Sequence, residues 1–164
     1  MKLLWVFIFL YIGLIYMTLP LARYFLNILY TSMGPSRLNL LVNLTIAISV
    51  ILAFLLLARK GIRVFLFSLP PAVVIGSSAV LLERPAERIH FLEYGLLGFL
   101  LCRAFEGEQW LRTVYAGMMV IAVGAVDEII QWFLPMRVGD LRDVLFNALG
   151  GLMGLWLGRV YYYS

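Results

Sequence analysis

Residues 3–22 read LLWVFIFLYIGLIYMTLPLA, 20 positions without a charged side chain. A helix rising about 1.5 Å per residue needs roughly 20 mainly apolar residues to cross the hydrocarbon of a bilayer. The stretch is therefore long enough to span a membrane. Lys2 precedes it, as in a secretory signal, but Pro20-Leu21-Ala22-Arg23 carries no small-residue cleavage pattern, so we read a retained first helix. The same pattern recurs outward from it. Leu38 to Ala58 is a second uncharged run and Val64 to Leu82 a third. Tyr24 to Arg37 reads as a connection with an interfacial turn, broken at Gly34-Pro35, and Pro70-Pro71 predicts a kink in the third run. Three further helices carry charges near one end, at about His90–Phe105, Trp110–Leu134 and Leu141–Tyr161. Trp5, Tyr30, Trp110, Trp132 and Tyr161-Tyr162-Tyr163 mark the ends, as interfacial aromatics do.

Composition supports this reading. The chain is 63% apolar and 13% charged, whereas a soluble domain is nearer to half apolar and about a quarter charged. A soluble fold this short could not hide so much apolar surface. The expectation is an all-α polytopic transmembrane bundle of six helices, with five as the alternative count, forming a single domain over residues 1–164. The net charge of +4 comes from basic residues set singly between apolar runs. They read as headgroup anchors, and nucleic acid is not expected as a partner. Cys102, alone inside an apolar run, says nothing about redox compartment. The Arg59-Lys60 to Arg63 cluster in a short loop favours a cytoplasmic N-terminus in a multi-pass protein of the cell membrane.

The polar residues of the last three helices gather on one membrane face, because the start of the fourth and the end of the fifth are two crossings apart. They include Glu87, His90 and Glu93, then Asp127, Glu128 and Gln131, then Arg137, Asp140, Asp143 and Asn147. Ionisable groups at membrane depth are costly and usually face a bundle interior or a wet cavity. Spacings of three and four put His90 with Glu93, Gln131 with Asp127 or Glu128, and Asp143 with Asn147 on shared helix faces. Asp127 and Glu128 are neighbours, so we expect Glu128 to face inward with Gln131 and Asp127 to turn towards Arg137 or Arg142. Gly150, Gly154 and Gly158 form a close-packing stripe on the sixth helix. An intramolecular packing face is preferred to a homodimer seam.

The segment Asp127-Glu128-x-x-Gln131-x-x-x-Pro135-x-Arg137, followed by Asp140-x-x-Asp143-x-x-x-Asn147-x-x-Gly150, resembles the signature of the VanZ-like family. So does His90-Phe91-x-Glu93-Tyr94-Gly95 upstream. The resemblance covers residues 84–158. That family often has a lysine three residues before the histidine, where this chain has Glu87 beside Arg88. The resemblance implies a bacterial integral membrane protein of the cell envelope, linked through the founding member to antibiotic resistance against the glycopeptide teicoplanin.

Two classes of function follow. The first is protection of the envelope by engaging membrane lipid, a lipid-linked cell-wall precursor, another wall component or a glycopeptide, with Arg137 suited to phosphate or carboxylate. The alternative is an intramembrane enzyme, metal-dependent or acid–base, acting on a lipid or envelope substrate through His90 and the carboxylates. The balance leans away from an enzyme. No serine or cysteine stands near the cluster with a matched base, and no H-E-x-x-H pattern is present. No cofactor is expected. A small proton-coupled carrier ranks last, for want of inverted repeats. A purely structural set of ion pairs at the loop is the remaining account.

Overall fold

A computed structural model describes residues 2–82, 84–134 and 141–163, and all regular structure among them is helical. The run Lys2–Ala58 keeps helical geometry except at Gly34, with φ 79° and ψ 163°, which divides it into α1 (2–33) and α2 (35–58). Ile62–Leu81 forms α3, Pro85–Leu101 α4, Gln109–Phe133 α5 and Leu141–Tyr163 α6. These are the six helices of the predicted all-α bundle.

Two boundaries differ from expectation. Residues 24–33 are helical rather than a connection. No glycine or proline interrupts them, and Leu26, Leu29 and Met33 bury apolar surface against Leu38, Val42 and Ile46 of α2. The break falls only at Gly34, where a side chain would be strained at positive φ, and Pro35 then opens α2 without needing an amide donor. The second difference is α4. It starts at Pro85, in the first helical turn, rather than at His90, and ends at Leu101 rather than Phe105. His90 consequently lies in the second turn. Pro70 and Pro71 sit within a helix that runs unbroken from Ile62 to Leu81.

Four segments are long and apolar enough to cross a membrane: Lys2–Leu21, Tyr24–Ala58, Gln109–Phe133 and Leu141–Tyr163. Leu3, Phe7, Leu10 and Met17 are each more than half exposed. Such a surface aggregates in water and suits lipid. The helix α4 has only 17 residues, near the short end of the spanning range of about 17–25. It lies against α6, which is of spanning length, over most of its own length.

That contact is the closest in the fold and is made by glycine. A Cβ on Gly154 would collide with the carbonyl oxygen of Gly95, and one on Gly98 with that of Gly151. A Cβ on Gly150 would stand 2.6 Å from the carbonyl oxygen of Phe91, and one on Gly158 2.7 Å from Cβ of Cys102. The stripe thus packs within the chain. Matching Phe91 to Gly150 and Cys102 to Gly158 also makes α4 and α6 parallel.

The remaining contacts give the directions of the other helices. Trp5 stacks edge-on with Phe105 at 5.1 Å, while Tyr11 donates to the Glu93 carbonyl at 3.0 Å, so α1 runs against α4. Leu57, Val64 and Val160 form one cluster, and Arg88 reaches Asn39 and Asn43 at the opposite end. Successive helices therefore alternate in direction, and residues 2 and 163 lie at the same end of the bundle.

Candidate functional site

At the other end, α4, α5 and α6 bring their polar groups together around Asp127. Asp127 has no exposed surface. Its Oδ2 accepts from the Tyr94 hydroxyl at 3.0 Å and from the Asn147 amide at 3.4 Å. Its Oδ1 accepts from the Gln131 amide at 3.3 Å. Nδ1 of His90 stands 3.5 Å from Asp127 Oδ2 and 3.6 Å from Glu93 Oε2. An isolated carboxylate would be strongly disfavoured at such a depth, and it persists where donors surround it. Here the donors are a phenol and two amides, with the His90 imidazole 3.5 Å away.

Each helix delivers its part through its own spacing. Residues 90 and 94 are one turn apart on α4, as are 127 and 131 on α5, so each pair shares a face. Asn147 comes in from α6 because Gly124 lets that helix approach: a Cβ there would stand 3.2 Å from Cβ of Asn147 and 3.6 Å from the Tyr94 ring. Glu128 is 4% exposed and accepts from the same Gln131 amide at 3.0 Å. The expectation that only Glu128 faces inward is thus corrected. Both carboxylates are buried, Asp127 holds the centre, and Gln131 bridges them.

The other expected residues divide into three groups. His90 and Glu93 are half-buried at the edge of the network. Asp143 is half-buried in the first turn of α6, one turn before Asn147. Arg137 and Asp140 lie outside the described residues. Among the described residues no group of three or more His, Cys, Asp and Glu is placed to hold a metal ion.

Several polar residues escaped the sequence reading. Tyr94 stood inside the quoted motif, one turn after His90, but its hydroxyl was not counted as a donor. Tyr16 donates to the Val123 carbonyl at 3.0 Å, beside the network. A second buried polar knot ties three helices at the same end. Arg88, 7% exposed, donates to the Leu82 carbonyl at 2.6 Å and to Asn43 and Asn39 at 2.9 and 3.3 Å. Two asparagines one turn apart in an apolar run were a usable signal for it, since amides at that depth seek partners on neighbouring helices.

The His90 imidazole thus stands within 3.6 Å of two carboxylates, Asp127 and Glu93. The half-buried edge at His90 and Glu93 offers a visiting group both acceptors and a donor.

A family model described as VanZ/LLP1 matches residues 5–162, reaching well beyond the segment 84–158 that carries the sequence motifs. No curated protein and no solved structure matches the chain.

Proposed function

This chain belongs to the VanZ/LLP1 family, and on that footing we propose that it guards the bacterial cell envelope by engaging a lipid-linked or wall component. The point of engagement is the edge of the Asp127 network, and the benefit is tolerance of teicoplanin-type glycopeptides or of other envelope stress. The observation that carries this reading is the fully buried Asp127 carboxylate, held by three helices next to the half-buried His90 and Glu93. A loop clamp would need only exposed ion pairs, each contributing about 0–1 kcal/mol. It gives no reason to carry a carboxylate, an imidazole and two amides so deep. A host lacking the protein, complemented with His90→Gln or Glu93→Gln at wild-type membrane abundance, tests the reading. Tolerance should fall to that of the deletion strain. Full complementation by both variants would remove the proposal.

A second reading is favoured by one feature, the His90 imidazole set 3.5 and 3.6 Å from two carboxylates. That arrangement suits general acid–base catalysis on a membrane substrate. Its test is turnover of envelope lipids by purified protein in nanodiscs. Turnover that vanishes in His90→Gln supports an enzyme, and turnover indifferent to His90 counts against it.

A further inference from the structure

On the side of α4 that faces α2 lies a half-open groove of about 720 Å³, bordered also by α3, by α6 and by Tyr11 of α1. Its α4 wall runs from Ile89 to Phe99 and its α2 wall from Thr45 to Leu57. At about 1.5 Å per residue these walls are roughly 15–18 Å long. The hydrocarbon core of a bilayer is about 30 Å thick, so the slot is about as long as one leaflet is deep. The walls are mostly apolar, and the Thr45, Ser49 and Tyr11 hydroxyls on them spend their donors inside the protein. The Thr45 hydroxyl donates to Leu41 at 3.0 Å, Ser49 to Thr45 at 2.8 Å and Tyr11 to the Glu93 carbonyl at 3.0 Å. Apolar cavities take apolar guests rather than water, and the guest at hand in a bilayer is hydrocarbon. One charged group reaches the wall. Glu93, with a side chain 28% exposed, lines the slot near its Ile89 end and stands 3.6 Å from His90. The slot and the Asp127 network therefore share a residue.

We propose that this slot holds one hydrocarbon chain of a membrane amphiphile whose donor-bearing, cationic head sits at Glu93 and His90. The inference rests on the proposed function and deepens it by naming the ligand class of that site. The length of the slot sets the chain, and the carboxylate one turn in from its Ile89 end sets the head.

The test uses purified protein in nanodiscs containing phosphatidylethanolamine or phosphatidylglycerol with a photoactivatable acyl chain. Crosslinks should concentrate on residues 45–57 and 89–99 and be stronger for the ethanolamine lipid. Ala53→Phe, which fills the slot, should abolish them, and Val73→Phe on the exposed outer face should leave them intact. Glu93→Gln should erase the preference between the two heads. Ser49→Leu replaces Ala53→Phe if that variant fails to fold. Labelling spread evenly over exposed positions such as Phe7 and Val73, or unchanged by filling the slot, would overturn the proposal. A preference for phosphatidylglycerol would overturn the assignment of the head. Specific labelling with unaltered tolerance in His90→Gln and Glu93→Gln would keep the slot and remove the proposed function. Lost tolerance without specific labelling would do the reverse.

Discussion

Asp127 is the residue on which the network depends, and the sequence pointed to its neighbour. Spacing tells which side chains share a helix face, but not how wide the buried sector of that helix is. On α5 the sector takes in Asp127, Glu128 and Gln131 together, because α4 and α6 both press on it. The Tyr94 hydroxyl was legible only as part of a motif, since a tyrosine in an apolar run looks the same whether its hydroxyl is used or not. Tyr94→Phe removes a donor from a buried carboxylate while keeping the ring. Hydrogen bonds to charged groups are worth about 1.5–3 kcal/mol, and the variant should lose about that much. Reversible unfolding in mixed micelles reads the difference. A loss within error of zero would mean that Asp127 does not need this donor.

Among the helices, the glycine stripe was the most readable feature and the Tyr24 to Arg37 segment the least. Glycines every fourth residue announce a face where backbones meet, and the direct approach of Gly154 to Gly95 is that face. Residues 24–33 read as part of a connection because they lie between two uncharged runs and lead into Gly34-Pro35. Polarity interrupts a membrane span without interrupting a helix, and only Gly34 has a conformation that stops one. The packing claim makes a paired prediction. In Gly154→Ala the new methyl meets backbone, which no side-chain rotation can relieve. The cost should reach or exceed the usual overpacking range of about 1–3 kcal/mol. In Gly117→Ala the new methyl would stand 3.6 Å from Leu152 Cδ2, ordinary contact, and stability should change by no more than about 0.5 kcal/mol. Equal effects in the two variants, measured by the same unfolding assay, would refute the close approach of α4 and α6.

Over the whole molecule, alternation of six helices separates two unlike ends. Lys60, Arg103 and Arg112 share one end with the tyrosines at 161–163, and each cation lies over a tyrosine ring. The Asp127 network and the Arg88 knot occupy the other. An expected cytoplasmic N-terminus puts the basic, aromatic end inside and the network outside. Single cysteines introduced in a Cys102→Ser background check this. Arg84→Cys should react with an impermeant maleimide on intact cells, and Lys60→Cys only after permeabilisation. The opposite pattern would invert the orientation, and equal labelling of both from outside would contradict the two-ended architecture. What the sequence left open at this scale was how α1 and α2 join the core. That depends on matches such as Tyr11 with Glu93 and Asn43 with Arg88, which no spacing within one helix announces.

The buried network either serves a ligand or only holds three helices together. Asp127→Asn separates the two, because it keeps the shape and one accepting oxygen for Tyr94 and Asn147 while removing the charge, and the Gln131 amide can turn its oxygen to the new NH2 group. The measurement is envelope-stress tolerance of complemented cells set beside thermal stability of the same purified variant. We predict a protein that stays folded, with a midpoint lowered no further than Tyr94→Phe lowers it, and that no longer protects its host. A folded variant that protects in full would contradict the account, as would loss of protection that appears only together with unfolding.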